Sequence, residues 1–175
     1  MNYTNIFHGL STIQPEILRK FLFDEIGERS KDKLYNHLKE LEHCYPKFDH
    51  WFYNVVIPEV ELRDGKREII IALTQMLDTK KTYLTGIAIL KKTKDEKKIC
   101  TFRIHENYRN MGIGTALFEQ CFLYLETRKP LITVSSDRLE MFRNHIDHFD
   151  FRIYQSLDNF YKQGSTEYVY NGYLL

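Results

Sequence analysis

The chain has little of what breaks, cross-links or anchors a protein. Among 175 residues there are four prolines, eight glycines, three cysteines and one tryptophan. With so few prolines and glycines there is no Pro/Gly-rich linker and no low-complexity tract, and no internal repeat is visible. Cys44, Cys100 and Cys121 are odd in number and far apart, which argues against a disulfide framework and for reduced thiols. No apolar run approaches the roughly 20 residues that a membrane helix needs. Met1 to Leu10 lacks the charged-then-apolar layout of a secretory signal. A cytoplasmic protein without membrane attachment is the expectation. Neither sign of charge is in excess: 25 basic residues stand against 24 acidic ones, for a net charge of +1. That balance offers no general attraction to nucleic acid or to anionic lipid.

What is plentiful is apolar and aromatic. Hydrophobic residues make up 43% of the chain and aromatic ones 14%, enough to exclude disorder and to fill one core. A single domain over 1–175 follows.

The first sixty residues read as mostly helical after an extended start at Tyr3 to Phe7. Pro15 suits a first helical turn, and Ile17, Leu18, Phe21, Leu22 and Ile26 recur at three- and four-residue spacing before Gly27. Ser30 can cap a second helix bearing Leu34, Leu38, Leu41 and Tyr45. Phe48, Trp51, Phe52, Val55 and Val56 form a third stripe, which Pro58 should stop. Glu68 to Leu73 and Leu84 to Leu90 are near-continuous aliphatic runs, as expected of strands covered on both faces. After the charged hairpin Lys91 to Lys98 comes a further strand, Ile99 to Ile104, and then a largely apolar helix, Ile113 to Leu125. Leu131 to Val134 reads as a short strand. Ser136 and Asp137 can cap a helix from Leu139 to about His148, and Phe151 to Tyr161 with Glu167 to Leu174 read as an antiparallel pair.

Chemistry concentrates in Arg109-Asn110-Met111-Gly112-Ile113-Gly114-Thr115-Ala116, between the strand and the apolar helix. A glycine-bearing turn at a helix start leaves backbone N–H groups unpaired at the positive end of the helix dipole. Glycine lets main chain approach an anion where a Cβ would collide. The segment therefore reads as a diphosphate grip. It is not a P-loop, since no Gly-Lys-Ser/Thr follows, and it lacks the third glycine of the dinucleotide fingerprint.

The pattern Arg109-x-x-Gly112-x-Gly114 after a strand, led in by Tyr108, resembles motif A of the GNAT superfamily of acyl-CoA-dependent N-acyltransferases. From the third strand onward the order of elements is similar too; three helices before the second strand exceed what that family usually shows. The resemblance implies an α/β (α+β) fold, a mixed, mostly antiparallel sheet wrapped by helices, here with an extended helical N-terminal segment. It implies acetyl-CoA as co-substrate, no metal, and direct attack by a primary amine of a small molecule or protein. A homodimer stays open. In the family, the strands flanking the loop and helix run parallel but splay, and the pantetheine arm enters the gap. Carried onto this chain, Phe102 to Ile104 would offer main chain to that arm, with the N–H near Ile104 holding the thioester carbonyl. Leu131 to Ser135 would form the other wall. Met111, Gly112, Ile113, Gly114 and Thr115 would give N–H groups to the pyrophosphate beside Arg109 and Asn110. Ser136 stands about where relatives carry an Asn that contacts pantetheine.

The chain also departs from the family. Many members carry a Glu on the strand before the loop; by alternation the residues sharing a side with Ile104 are Lys98, Cys100 and Phe102, none of them a carboxylate. Phe142 to Ile146 contains no Tyr where many place a thiolate acid, and Asp150 stands where Gly is usual. Water, Tyr154 and Tyr161 all remain open as proton routes, and no catalytic residue is assigned. A CoA-binding module without catalysis, and an acetyltransferase acting on aminoacyl-tRNA, are the competing readings. Cys100 reads as a small strand hydrophobe and His105 as a packing or surface histidine. His145 and His148 with Asp147 and Asp150, and His43, Cys44 and His50, show no recognised ligand spacing. Trp51, Phe48, Phe52 and Tyr53 read first as an aromatic core stripe and second as a lining for an acceptor pocket.

Overall fold

The computed structural model describes residues 2–12 and 30–174. The expected first helix, Ile17 to Ile26, lies outside the described residues. The two aliphatic runs become the central strands of a four-stranded antiparallel sheet. Its order is β1 (Tyr3–Gly9), β2 (Arg67–Met76), β3 (Thr82–Lys92) and β4 (Lys97–Ile104). Alternate side chains of β2 and β3 enter two different cores, and for that reason no polar face interrupts them in sequence. Ile69, Ile71, Leu73, Ile87 and Ile89 pack with Leu34, Leu38, Phe48, Phe52 and Val56 from the helices that precede β2. Ile70, Ala88 and Leu90 pack on Leu117, Phe118, Cys121, Phe122 and Leu125 of the helix after the glycine loop.

A second antiparallel sheet has the order β5 (Ile132–Ser135), β7 (Thr166–Tyr170), β6 (Ile153–Asp158). The two sheets are stitched where β4 and β5 begin in parallel. The Ile99 N–H donates to the Leu131 carbonyl at 3.0 Å, and the Leu131 N–H donates to the Lys97 carbonyl at 2.8 Å. The architecture is thus the expected mixed, mostly antiparallel sheet flanked by helices.

The helices of the described residues are α1 (Ser30–Leu38), α2 (Phe48–Trp51), α3 (Ile57–Glu61), α4 (Ile113–Leu125) and α5 (Leu139–His148). Among the described residues no helix is long and apolar enough to cross a membrane. Three details differ from expectation. The second helix ends at Leu38 and continues only as a 3-10 turn, Lys39–Leu41, so Tyr45 sits on a loop. Pro58 does not stop the third helix: a π turn, Phe52–Val56, joins α2 to α3, and its wider hydrogen-bond spacing accommodates a residue with no N–H. Ser136 and Asp137 do not cap α5, whose cap position is Arg138 with no side-chain hydrogen bond; the Ser135 hydroxyl donates to Asp137 instead.

Candidate functional site

The site begins with an irregularity in β4. Ile89 pairs with Thr101 and Leu90 with Ile99, which leaves Cys100 as an extra, bulged residue. The backbone registers the same slip. Ile99 and His105 are six residues apart and would point alike in a regular strand. Yet the Ile99 N–H turns to β5, while the His105 N–H donates to Thr85 of β3 at 2.9 Å. Beyond the bulge, Phe102 and Ile104 therefore turn N–H and C=O away from β3, towards β5. On the other strand Leu131 faces β4 and the Ser136 N–H donates to Thr166 of β7 at 2.8 Å, so Thr133 and Ser135 turn their main chain into the same gap. Beyond Ile99 no backbone hydrogen bond joins β4 to β5 among the described residues. Two parallel strands diverge, with unpaired peptide groups facing each other.

The bulge also corrects the alternation read from sequence. Ile99, Phe102 and Ile104 lie against the α4 core, whereas Cys100 packs against the core on the α1 side. Arg103 is on the α1 side as well, 2.7 Å from Glu40.

The divergence opens a cleft of about 710 Å³, walled by β4, β5, α5 and the glycine loop. That size is ordinary for a small-molecule site. Of the residues singled out in sequence, Phe102, Ile104, Arg109, Asn110, Gly112, Gly114 and Thr115 line it. Ile113 is buried in the core, and the Met111 carbonyl accepts from the Tyr3 hydroxyl at 3.1 Å, which ties the loop to β1. Ser136 is turned away: it interacts with Ser165 and Thr166, and its neighbour Ser135 lines the cleft instead.

At the mouth, Asn110 and Gly112 adopt left-handed φ values of 61° and 75°. They fold the chain so that α4 starts at the cleft. No side chain caps α4, and its first turn holds no acidic residue. Its leading N–H groups are left facing outward with Arg109 beside them, a receptor for anionic oxygens. Gly114 lets His145 of α5 lie against this turn. Burial, and then His148, lower the His145 pKa from its ordinary value, which keeps the ring neutral at pH 7. Asp150 takes the left-handed conformation (φ 50°) just after α5, and Lys129 hydrogen-bonds to its carboxylate and carbonyl. An aspartate tolerates that conformation.

The opposite end of the cleft is aromatic. Tyr45 and Cys100 line both the cleft and an adjoining pocket of about 330 Å³, which Phe48, Trp51 and Tyr161 also border. Phe52 is fully buried instead. The rings of Tyr45 and Tyr161 meet at 4.9 Å. Burial, followed by the charge of Glu167, raises both phenols, Tyr161 to about 12, so both are hydrogen-bond donors at neutral pH. Tyr154 is half-exposed on β6 against Tyr173 and does not reach the cleft wall. The His105 Nδ1 accepts from the Asn107 N–H at 3.3 Å and serves the approach turn. Among the described residues no cluster of His, Cys, Asp or Glu could hold a metal ion.

Ser135 lies in the wall expected from sequence; sequence reasoning missed Tyr45 and Arg138, which line the cleft, and Glu167, the register partner of Ser135. Tyr45 looked like the end of a helical stripe, and Glu167 like an ordinary strand residue. Their convergence depends on sheet register, which a single strand does not display.

No family model matches the sequence, and no curated protein matches it. Solved structures match in shape. Arabidopsis thaliana NAA60 in complex with acetyl-CoA matches over 95% of this chain and 97% of its own, at 18% identity and a TM-score of 0.61. An acetyltransferase of the GNAT family from Streptococcus pneumoniae matches over 95% of this chain and 97% of its own, at 15% identity and a TM-score of 0.61. The Escherichia coli ribosomal-protein-S18-alanine N-acetyltransferase covers 95% of this chain and 92% of its own, at 13% identity and a TM-score of 0.58. At identities this low, the likeness is one of fold.

Proposed function

We propose that this chain, folded as the GNAT acetyltransferases are, is an N-acetyltransferase that moves an acetyl group from acetyl-CoA to a primary amine of a small molecule or protein. One observation carries the reading: β4 and β5 part at the Cys100 bulge, and an uncapped helix start lies at one end of the opening. An extended pantetheine arm fits that gap as an inserted strand, using the peptide groups of Phe102 and Ile104. The N–H groups from Gly112 to Thr115 then receive the pyrophosphate, with Arg109 adding charge. The same inward-facing N–H groups of β4 suit a thioester carbonyl, whose oxygen gains charge as the amine attacks.

Solved structures with this fold include one in complex with acetyl-CoA and one that is a ribosomal-protein-alanine N-acetyltransferase, which supports both the donor and the amine acceptor. No acidic side chain of β4 enters the gap, so the amine's proton leaves by another route. The direct test is calorimetric titration with acetyl-CoA, followed by thiol release in the presence of amines. Binding with amine-dependent thiol release is the expected result; no heat of binding would remove the reading.

A further inference from the structure

Near the aromatic end of the cleft lies a buried carboxylate with an oxygen that no described residue hydrogen-bonds. Glu167, near the start of β7, is the register partner of Ser135 on β5. Directly opposed residues of an antiparallel pair project from the same face, and on that face Ser135 and Thr133 line the cleft. Glu167 is 2% exposed, and its Oε2 has no hydrogen-bond partner among the described residues. Buried carboxylates are ordinarily paired with donors or cations. The titratable groups around this one are Tyr45 from the loop after α1, Tyr161 from the β6–β7 loop and Asp137 from the turn after β5; Arg138 and Cys44 act on Tyr45. Among the described residues no cation offsets the Glu167 charge. Both tyrosines feel the Glu167 charge, and both border the smaller pocket.

We propose that Glu167 is the carboxylate that receives the primary ammonium group of the acceptor, entering between Tyr45 and Tyr161. This rests on the acetyl-transfer reading and assigns the proton route that β4 does not supply. An ammonium group brings the opposite charge and the N–H donors that Oε2 lacks, and the faces of two tyrosines suit a cation on its way in. Glu167 takes one proton from the ammonium. The neutral amine's lone pair then forms the C–N bond at the thioester carbonyl carbon, the C–S bond breaks, and CoA departs as thiolate. The surplus proton on the new amide nitrogen passes to that sulfur, and Glu167 returns its own proton to water. The preferred substrates are therefore cationic primary amines. A charge held unpaired in the free protein is the kind of local conflict that functional sites retain.

The experiment compares the full-length chain with Glu167→Gln, which is nearly isosteric and removes the charge. Acetyl-CoA binding, thermal unfolding, and transfer to 1,4-diaminobutane, lysine and a dipeptide with a free N-terminus are measured on both. The variant is expected to bind acetyl-CoA as the wild type does and to melt higher, while kcat/KM for the amines falls by about 100-fold or more. Transfer by the variant at near wild-type rates would overturn the assignment while leaving the acetyl-transfer reading intact. So would a lowered Tm accompanying the lost activity, since that marks a structural role. A wild type that binds acetyl-CoA but acetylates none of these amines would overturn it as well. A wild type that binds no acetyl-CoA would remove both.

Discussion

Gly114 and His145 touch across the mouth of the cleft: a Cβ on Gly114 would stand 2.8 Å from His145 Nε2 and 3.7 Å from Ile104 Cγ1. The first turn of α4 thus approaches α5 as closely as bare backbone permits. Gly112 is required for a different reason, since nothing lies within 4 Å of its would-be Cβ but its φ is 75°.

Gly114→Ala must push the His145 ring towards the cleft or separate α5 from α4, at an overpacking cost of about 1–3 kcal/mol. Acetyl-CoA affinity is expected to fall by about tenfold or more, the equivalent of roughly 1.4 kcal/mol, in a calorimetric titration. Gly112→Ala should instead cost about 1–2 kcal/mol of backbone strain, read in thermal unfolding. Unchanged affinity in Gly114→Ala would count against the loop as the anion site.

Phe118 is fully buried and stacks on Phe102 of β4 at 4.1 Å, with Phe122, Phe149 and Phe151 around it. It props β4 from beneath, just past the bulge. Phe118→Ala should lose about 3–5 kcal/mol in urea unfolding, a large share of a domain's stability. A loss below about 1 kcal/mol would mean that the void collapses and that β4 is held by something else.

Cys100 occupies the bulge at the cleft wall, with an Arg67 guanidinium nitrogen 3.3 Å from its sulfur. Burial is nonetheless the larger influence and raises its pKa above the ordinary thiol value, so the thiolate is scarce at neutral pH. This agrees with the proposed direct attack by the amine, without an acyl-cysteine. Intact-mass measurement after incubation with acetyl-CoA alone is expected to show no acetyl adduct, and Cys100→Ser should retain transfer. An acetyl group mapped to Cys100 would point to a two-step mechanism.

Burial, reinforced by Asp137, raises the Glu167 pKa in the folded protein above its ordinary value. The folded state therefore holds this proton more tightly than the unfolded chain does. Its contribution to stability is present in full below the unfolded value and is lost as pH rises through the folded one. Relative to Glu167→Gln, the wild type should match in Tm in acid and fall progressively behind as pH climbs past the carboxylate range towards 7. A Tm difference that stays flat with pH would show that Glu167 finds a counter-charge in solution.

Much of the scaffold could be read from residue order because local physics shapes it. The α4 boundaries follow from glycines ahead of a continuous apolar run, and α5 from its own stripe between turn residues. Pro58 misled because the rule for prolines assumes a regular α-helix, whereas the π turn before it changes the hydrogen-bond spacing. Strand alternation misled at Cys100 because a bulge is one residue out of step, and nothing in Lys-Ile-Cys-Thr-Phe declares which residue that is.

Residues close in the chain specified the glycine loop: φ freedom at Gly112, contact space at Gly114 and a helix start are properties of a few consecutive positions. The aromatic end arose otherwise. Tyr45, Ser135, Tyr161 and Glu167 come from a loop, two strands and a turn scattered across the chain; sheet register pairs Ser135 with Glu167, and loop packing brings the tyrosines to them. Register depends on the summed packing of two cores, so a carboxylate that looks unexceptional along the strand becomes buried and unpaired only once both sheets have closed around it.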